Sequence, residues 1–326
     1  MIIHKGGRVH TWCADLVAGF EETGCHTHAI TLRSWNWHER REQWSCGTKL
    51  WQNQATVRRC AAAIAEFDPA IILLLNFAGL PEAAALALRK AAAPGVPLIA
   101  WLADHISTLP QSAQPNLDAV YAFDSATLDA LQNHYQHDSA RLEFMPLAVN
   151  PARFPDQGKT WPERREGLVF LGNNSPERRA MIRKLRELGV PTSAYGPNAE
   201  TGGRIWRRRR IPTTAAARIY GHYQGVLNML QHPNTVNGLN LRAYEVAACG
   251  GLGTYPVTRD LVLSFEPDQE IIAYRDLEDL SRKTRTLFHE PEQAANIIAA
   301  GRRRVLAGHT YAHRAMRFAE DWLKSP

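Results

Sequence analysis

NMLQHPNTVNGLNLRAYEVAACGGLG, residues Asn228–Gly253, follows a short apolar run (Gly225, Val226, Leu227) and reads as strand end, polar loop and helix start in succession. The loop is rich in Asn and Gly (Asn234, Asn237, Gly238, Asn240), the helix opens on Arg242 and Glu245, and small residues carry it to Cys249, Gly250 and Gly251. Backbone N–H groups at a helix start lack intrahelical partners and sit at the positive end of the helix dipole, which suits phosphate oxygens. Arg242 adds a planar fork of donors able to hold two such oxygens. Glu245, three residues on and on the same helix face, can accept hydrogen bonds from a pair of vicinal hydroxyls. Phosphate beside a diol reads as a nucleotide, while an Arg and a Glu at this spacing also read as a plain surface ion pair.

Upstream, Gly167–Arg179 has the same grammar: an apolar strand, a turn at Gly172-Asn173-Asn174, and a Ser175-Pro176 helix start followed by Glu177 and Arg178. It is a phosphate-type turn without the full GxGxxG pattern. Pro191–Gly196 supplies the next strand, with Tyr195 and Gly196 at its exit.

From about Leu168 to Leu323 the chain resembles the C-terminal domain of the CgeB-like glycosyltransferases, a family named for a spore-maturation protein and built on the GT-B fold. The matching features are Asn240-Leu-Arg242-Ala-Tyr-Glu245, the Cys249-Gly250-Gly251 turn, Phe265-Glu-Pro, Glu270-Ile-Ile, Tyr274-Arg-Asp-Leu, Ala300-Gly301-Arg302, and His309-Thr310-Tyr311 with His313-Arg314. The resemblance implies a nucleotide-sugar donor on the C-terminal domain, with Glu245 at the ribose. Asn240 and Arg242 are then expected at the diphosphate or transferred sugar, with Gly172, Asn173 and Arg178 on the opposite wall and Tyr195 and Gly196 near the base. Related retaining families carry a Glu eight residues before this one; here Asn237 stands there, which removes the argument for retention.

The N-terminal half alternates strands and helices. Met1–Lys5 reads as a strand, Gly6-Gly7 as a turn, and Val9–Thr23 as a helix whose apolar face is Trp12, Leu16, Val17 and Phe20. Further strands are expected at His28–Leu32, Pro69–Leu75, Pro97–Leu102, Asp118–Phe123 and Leu142–Ala148, with helices near Thr56–Glu66, Pro81–Ala92 and Ser125–His134. The expected fold is α/β, with two Rossmann-like domains facing each other across a cleft. The boundaries are 1–150 for the acceptor side, 151–166 for a Pro/Gly-containing linker and 167–308 for the nucleotide-sugar domain. Residues 309–326 are expected to form a C-terminal helix crossing back to the first domain, so that His309, Thr310, Tyr311 and Arg314 read as structural.

Four of the nine tryptophans fall within Ser34–Trp51. Their rings either cover the sheet or, at Trp35 and Trp37, form an acceptor-side wall for a sugar or lipid. For an acceptor-activating base, His10 after the first strand has the better intrinsic pKa, and Asp104 the better strand-end position.

With 326 residues, 45% hydrophobic and 21% charged, the chain has the size and balance of a two-domain globular enzyme. No apolar run reaches the roughly 18 residues of a membrane span, and Met1 leads straight into a strand, so no signal peptide is expected. The five cysteines never form CxxC and read as reduced cytosolic thiols, Cys249 being a helix-packing residue. No metal-binding DxD stands at a strand end; no metal or other cofactor is expected, and the nucleotide-sugar enters as substrate. The formal charge of +6 favours an anionic partner. Arg204–Arg210, with Trp206 inside it, reads as a solvated basic segment, or as a basic loop for an anionic acceptor or for peripheral contact with the inner face of the membrane of a cytoplasmic protein.

Three functions stay open on sequence alone: sugar transfer to a glycan, protein or lipid-linked acceptor; nucleotide-sugar chemistry without an acceptor, as in an epimerase; and binding of an anionic surface or nucleic acid through the Arg run. The first is favoured; intact Asn240, Arg242 and Glu245 argue against the third, and no nucleic-acid partner is expected.

Overall fold

The run of aliphatic residues after Pro69 is a strand buried on both faces, as a parallel sheet requires, and its neighbours set the architecture. The structure is a computed structural model that describes residues 1–4, 6, 9–32, 51, 53–75, 80–105, 117–134, 140–199, 211–230 and 234–323. Trp35, Trp37 and the Arg204–Arg210 run lie outside the described residues.

The chain divides into two units. The first begins with β1 (Ile2–His4), α1 (Val9–Glu22), β2 (Ala29–Thr31), α2 (Gln54–Phe67), β3 (Ile72–Leu75) and α3 (Glu82–Ala91). It continues through β4 (Leu98–Leu102), β5 (Ala119–Ala122), α4 (Ser125–His134) and β6 (Arg141–Phe144). All six strands are parallel in the order β2-β1-β3-β4-β5-β6. The winding reverses between β1 and β3, the switch point at which open α/β sheets place ligands. Local chemistry explains the helix limits: Asn53 caps α2 by accepting from Thr56 N at 2.8 Å, and Asp68, at φ 48°, closes it. Helices α2 and α3 cover one face through Cys60, Ile64, Ala84, Ala85 and Leu88 over Ile72, Leu74 and Ala100.

The second unit is β7 (Arg165–Leu171), α5 (Pro176–Glu187), β8 (Thr192–Tyr195), α6 (Thr213–His222), β9 (Tyr223–Val226), α7 (Leu241–Ala248), β10 (Thr254–Pro256), α8 (Leu261–Ser264), β11 (Ile272–Tyr274), α9 (Leu277–Leu287) and α10 (Pro291–Gly308). Parallel strands run β8-β7-β9 and β10-β11, and a parallel bridge from Val226 to Gly253 joins the two groups. The alternation of β7 sends Leu168 and Phe170 into a core with Ile182, Leu185, Leu227 and Tyr274. Val169 and Leu171 enter a second core with Tyr220, Val226, Val246 and Cys249.

The segment read as a linker is fixed to this second unit. Gln157 N donates to Cys249 O at 3.0 Å and Lys159 N to Gly221 O at 3.1 Å. Arg164, buried, donates to the carbonyls of Lys159, Tyr223 and Gly250 at 3.0, 3.1 and 2.8 Å.

The chain then returns to the first unit as α11 (Tyr311–Trp322), which packs on α1. Gly19 allows this contact, since a Cβ there would lie 2.6 Å from Tyr311 O. Phe318 is held edge-on to Trp101 and Tyr121, and Tyr121 donates to Asp321 while accepting from Trp322 Nε1. The described part of Pro233–Val236 also belongs to the first unit: Asn234 O accepts from His105 N at 2.8 Å, and Val236 N donates to Asp124 at 2.7 Å. No helix among the described residues is long and apolar enough to cross a membrane.

Candidate functional site

β7 ends at Leu171, and the turn that follows brings two glycines into contact. Gly172 N donates to Tyr195 O at 3.0 Å, and Gly196, at φ 113°, lies so close that a Cβ on it would meet Gly172 O at 2.4 Å. Asn174, fully buried, braces the turn by donating Nδ2 to Gly172 O (2.9 Å) and Pro197 O (3.2 Å). Ser175 then accepts from Arg178 N at 3.4 Å and Pro176 occupies the first helical position, so α5 starts where the sequence places it.

Arg178 on α5 and Arg242 on α7 converge on one ring. The Arg178 guanidinium carbon lies 5.3 Å from the centroid of Phe170, and that of Arg242 lies 5.1 Å from it. Arg178 is steadied by the carbonyls of Asn173 (3.1 Å) and Met229 (3.4 Å). Burial, and then the neighbouring charge of Arg242, hold Arg178 below the usual guanidinium value. Among the described residues neither guanidinium is in salt-bridge contact with a carboxylate, and Arg242 Nε is buried without a hydrogen-bond partner. Two neighbouring cations on an aromatic ring, with a donor to spare, have the chemistry to hold a polyanion.

Asn240 stands at the N-cap of α7, but its side chain does not cap the helix. It forms a reciprocal pair with Asn228, each amide donating to the other at 2.8 and 2.9 Å. Asn228 Oδ1 also accepts from Arg242 Nη1 at 3.1 Å. The loop is held from below by Tyr255, whose hydroxyl accepts from Asn240 N at 3.1 Å and donates to Gly238 O at 3.0 Å. Glu245 is half-buried one turn along α7; with Arg242 it borders the phenol of Tyr220, which burial first and the Glu245 charge second push upward.

The structure therefore brings Gly172, Asn173, Arg178, Gly196, Asn240, Arg242 and the backbone of Tyr195 together. The Tyr195 hydroxyl is engaged elsewhere, 2.8 Å from that of Tyr223. In the first unit, His10 is exposed in the first turn of α1 with its ring stacked on His4 at 5.4 Å. Asp104 is half-buried just past β4, beside His105, whose Nδ1 lies 2.9 Å from Thr127 Oγ1. Sequence reasoning read Asn174 only as part of the turn and missed Phe170 and Asn228. A signal existed for the last: a polar residue directly after the buried run ending at Leu227.

Residues 176–320 match the family described as glycosyl transferase-like. The match takes in Arg178, Asn240, Arg242 and Glu245. Among solved structures, the chain is similar to a glycosyltransferase from Rickettsia africae at 11% identity and TM-score 0.70, covering 100% of this chain and 99% of that one. It is similar to sucrose-phosphate synthase from Thermosynechococcus elongatus at 13% identity and TM-score 0.65, covering 99% and 97%. It is also similar to HepE from Anabaena, solved in complex with UDP-glucose, at 12% identity and TM-score 0.64, covering 98% of each chain. At these identities the likeness is one of fold, and the fold is that of the GT-B glycosyltransferases. No curated protein matches the sequence.

Proposed function

We propose that this protein is a glycosyltransferase of the CgeB-like branch that moves a sugar from a nucleoside diphosphate donor to a glycan, protein or lipid-linked acceptor. The observation that carries the reading is the Arg178 and Arg242 pair over Phe170, at 5.3 and 5.1 Å, beside the close contact of Gly172 and Gly196. A UDP-glucose complex of a structural neighbour and the family match of residues 176–320 support it.

In the proposed reaction the acceptor oxygen bonds to the anomeric carbon as the bond from that carbon to the phosphate oxygen breaks. Negative charge grows on the departing diphosphate. The arginine pair meets that charge without reorganisation, and on this ground the transfer is proposed to run without a divalent cation. Glu245 is assigned to the ribose, and Gly172, Asn173, Gly196 and the backbone at Tyr195 to the remainder of the nucleotide. In an inverting reaction, His10 takes the acceptor proton; Asp104 is the second candidate. A cytoplasmic location, and contact of Arg204–Arg210 with an anionic membrane face, complete the proposal.

The test is a thermal-shift screen against UDP, GDP, dTDP, CMP and their sugar conjugates, with and without EDTA, followed by detection of sugar transfer with the donor that binds. A shift that survives EDTA is expected. Absence of any shift at millimolar ligand overturns the reading.

A further inference from the structure

Asn228 was not among the residues the sequence singled out, and it is built into the site more firmly than any of them. It is 2% exposed. Its carbonyl oxygen accepts from the hydroxyl of Tyr274 at 2.6 Å, and its backbone N–H lies 3.4 Å from Thr254 Oγ1, so β10 and β11 both fix the backbone on which the side chain turns. The carboxamide has only one consistent orientation. Its Nδ2 donates to Asn240 Oδ1, and its Oδ1 receives both Asn240 Nδ2 and Arg242 Nη1.

The consequence lies in what that oxygen is. A guanidinium in a half-buried site is ordinarily held by a carboxylate, which orients it and also cancels its charge. Here a neutral amide oxygen does the orienting. Arg242 is kept in place by Asn228 and the Phe170 ring, and among the described residues no carboxylate is in salt-bridge contact with it; Glu245, one turn along α7, shares the Tyr220 phenol with it. Asn240 contributes by turning its side chain away from the helix cap and toward Asn228, which leaves the start of α7 without a side-chain cap. Two kinds of anion-seeking group, one guanidinium and one helix start, are thereby left available by a single amide pair.

We infer that Asn228 is a positioning residue for diphosphate binding: it aims Arg242 through a neutral acceptor, and its neutrality reserves the arginine charge for the ligand. The inference rests on the proposed function for the identity of the full donor, but not for the polyanion itself.

The experiment is calorimetric titration of the whole chain with inorganic pyrophosphate, for the wild type and the variants Asn228→Asp and Asn228→Ser, with melting temperatures measured alongside. Asn228→Asp retains an acceptor for Arg242 and adds a charge; Asn228→Ser removes the amide and adds none. The expected result is that Asp weakens pyrophosphate binding tenfold or more and Ser weakens it less, although Asp melts no lower than Ser. A packing role alone makes affinity follow melting temperature. Should Asn228→Asp fail to fold, the Ser variant decides: weakened binding at a melting temperature close to that of the wild type supports the inference, and weakening that only accompanies a fall in melting temperature overturns it. Affinity within twofold of wild type in every folded variant overturns it, as does a wild type that binds neither pyrophosphate nor any nucleoside diphosphate. Asn228-dependent pyrophosphate binding without sugar transfer from any donor upholds this inference and sinks the proposed function. Transfer that is indifferent to Asn228 does the reverse.

Discussion

Arg178 and Arg242 come from different helices and place their guanidinium groups over the same ring, Phe170, with no carboxylate in salt-bridge contact with either among the described residues. Like charges so arranged oppose each other until an anion arrives, and burial with that mutual repulsion already lowers Arg178. Arg178→Ala and Arg242→Ala are each expected to raise the Kd for the nucleoside diphosphate by about 10-fold to 150-fold, the worth of a charge-assisted hydrogen bond. A double-mutant cycle by calorimetry is expected to show non-additivity, since both act on one ligand group. Unchanged affinity in both single variants removes the site.

Gly196→Ala tests the close approach of the two turns. Its Cβ would sit 2.4 Å from Gly172 O at a φ of 113°, so the backbone must shift. A lower melting temperature and loss of the nucleotide-induced shift are expected. Gly189→Ala is the control: its φ is 80° but nothing lies within 4 Å, so only the left-handed backbone is penalised, by about 1 kcal/mol, and nucleotide binding stays.

Glu245 is expected to read the ribose. In the wild type a 2′-deoxyribonucleoside diphosphate should bind several-fold more weakly than its ribo counterpart. Glu245→Ala should bring the ratio of the two Kd values close to one. A ratio that does not move in the variant places the sugar of the nucleotide elsewhere.

His4 ties stability to pH. It is 3% exposed, and burial first, with His10 stacked on it second, lowers its pKa to about 4. The unfolded chain, with its pKa near 6.5, binds the proton more readily, so His4 contributes stability that is present above about pH 6.5 and lost as pH falls toward about 4. By pH 5 the loss is on the order of 2 kcal/mol from this group. Urea unfolding at pH 7.5 and pH 5 should show a smaller difference in His4→Phe than in the wild type. An equal difference in both shows that His4 is not the group responsible.

The strands of the first unit and the turn at Gly172 were legible because their signals are local: aliphatic runs, a glycine, a Ser-Pro helix start. Arg242 was legible for the same reason. Phe170 was not, since a ring beneath two arginines looks in sequence like one more apolar residue between Val169 and Leu171. The segment 151–166 carries the composition of a linker, and composition does not register the three carbonyls, two of them more than fifty residues away, that Arg164 gathers. Tyr195 was placed at the site by its position at a strand exit, whereas its hydroxyl partner, Tyr223, begins a different strand.

The packing of α11 on α1 also sets an order of events at the ribosome. Phe318 fills the space between Trp101, Tyr121 and Phe20, so residues 1–146 emerge with an aromatic pocket open to water. All of the second unit is synthesised before the helix that closes that pocket exists. The second unit can therefore complete its own core first, while the unit that emerged earlier waits with those rings uncovered. A truncation after residue 310 would leave the earlier half unfinished, however intact its own sequence.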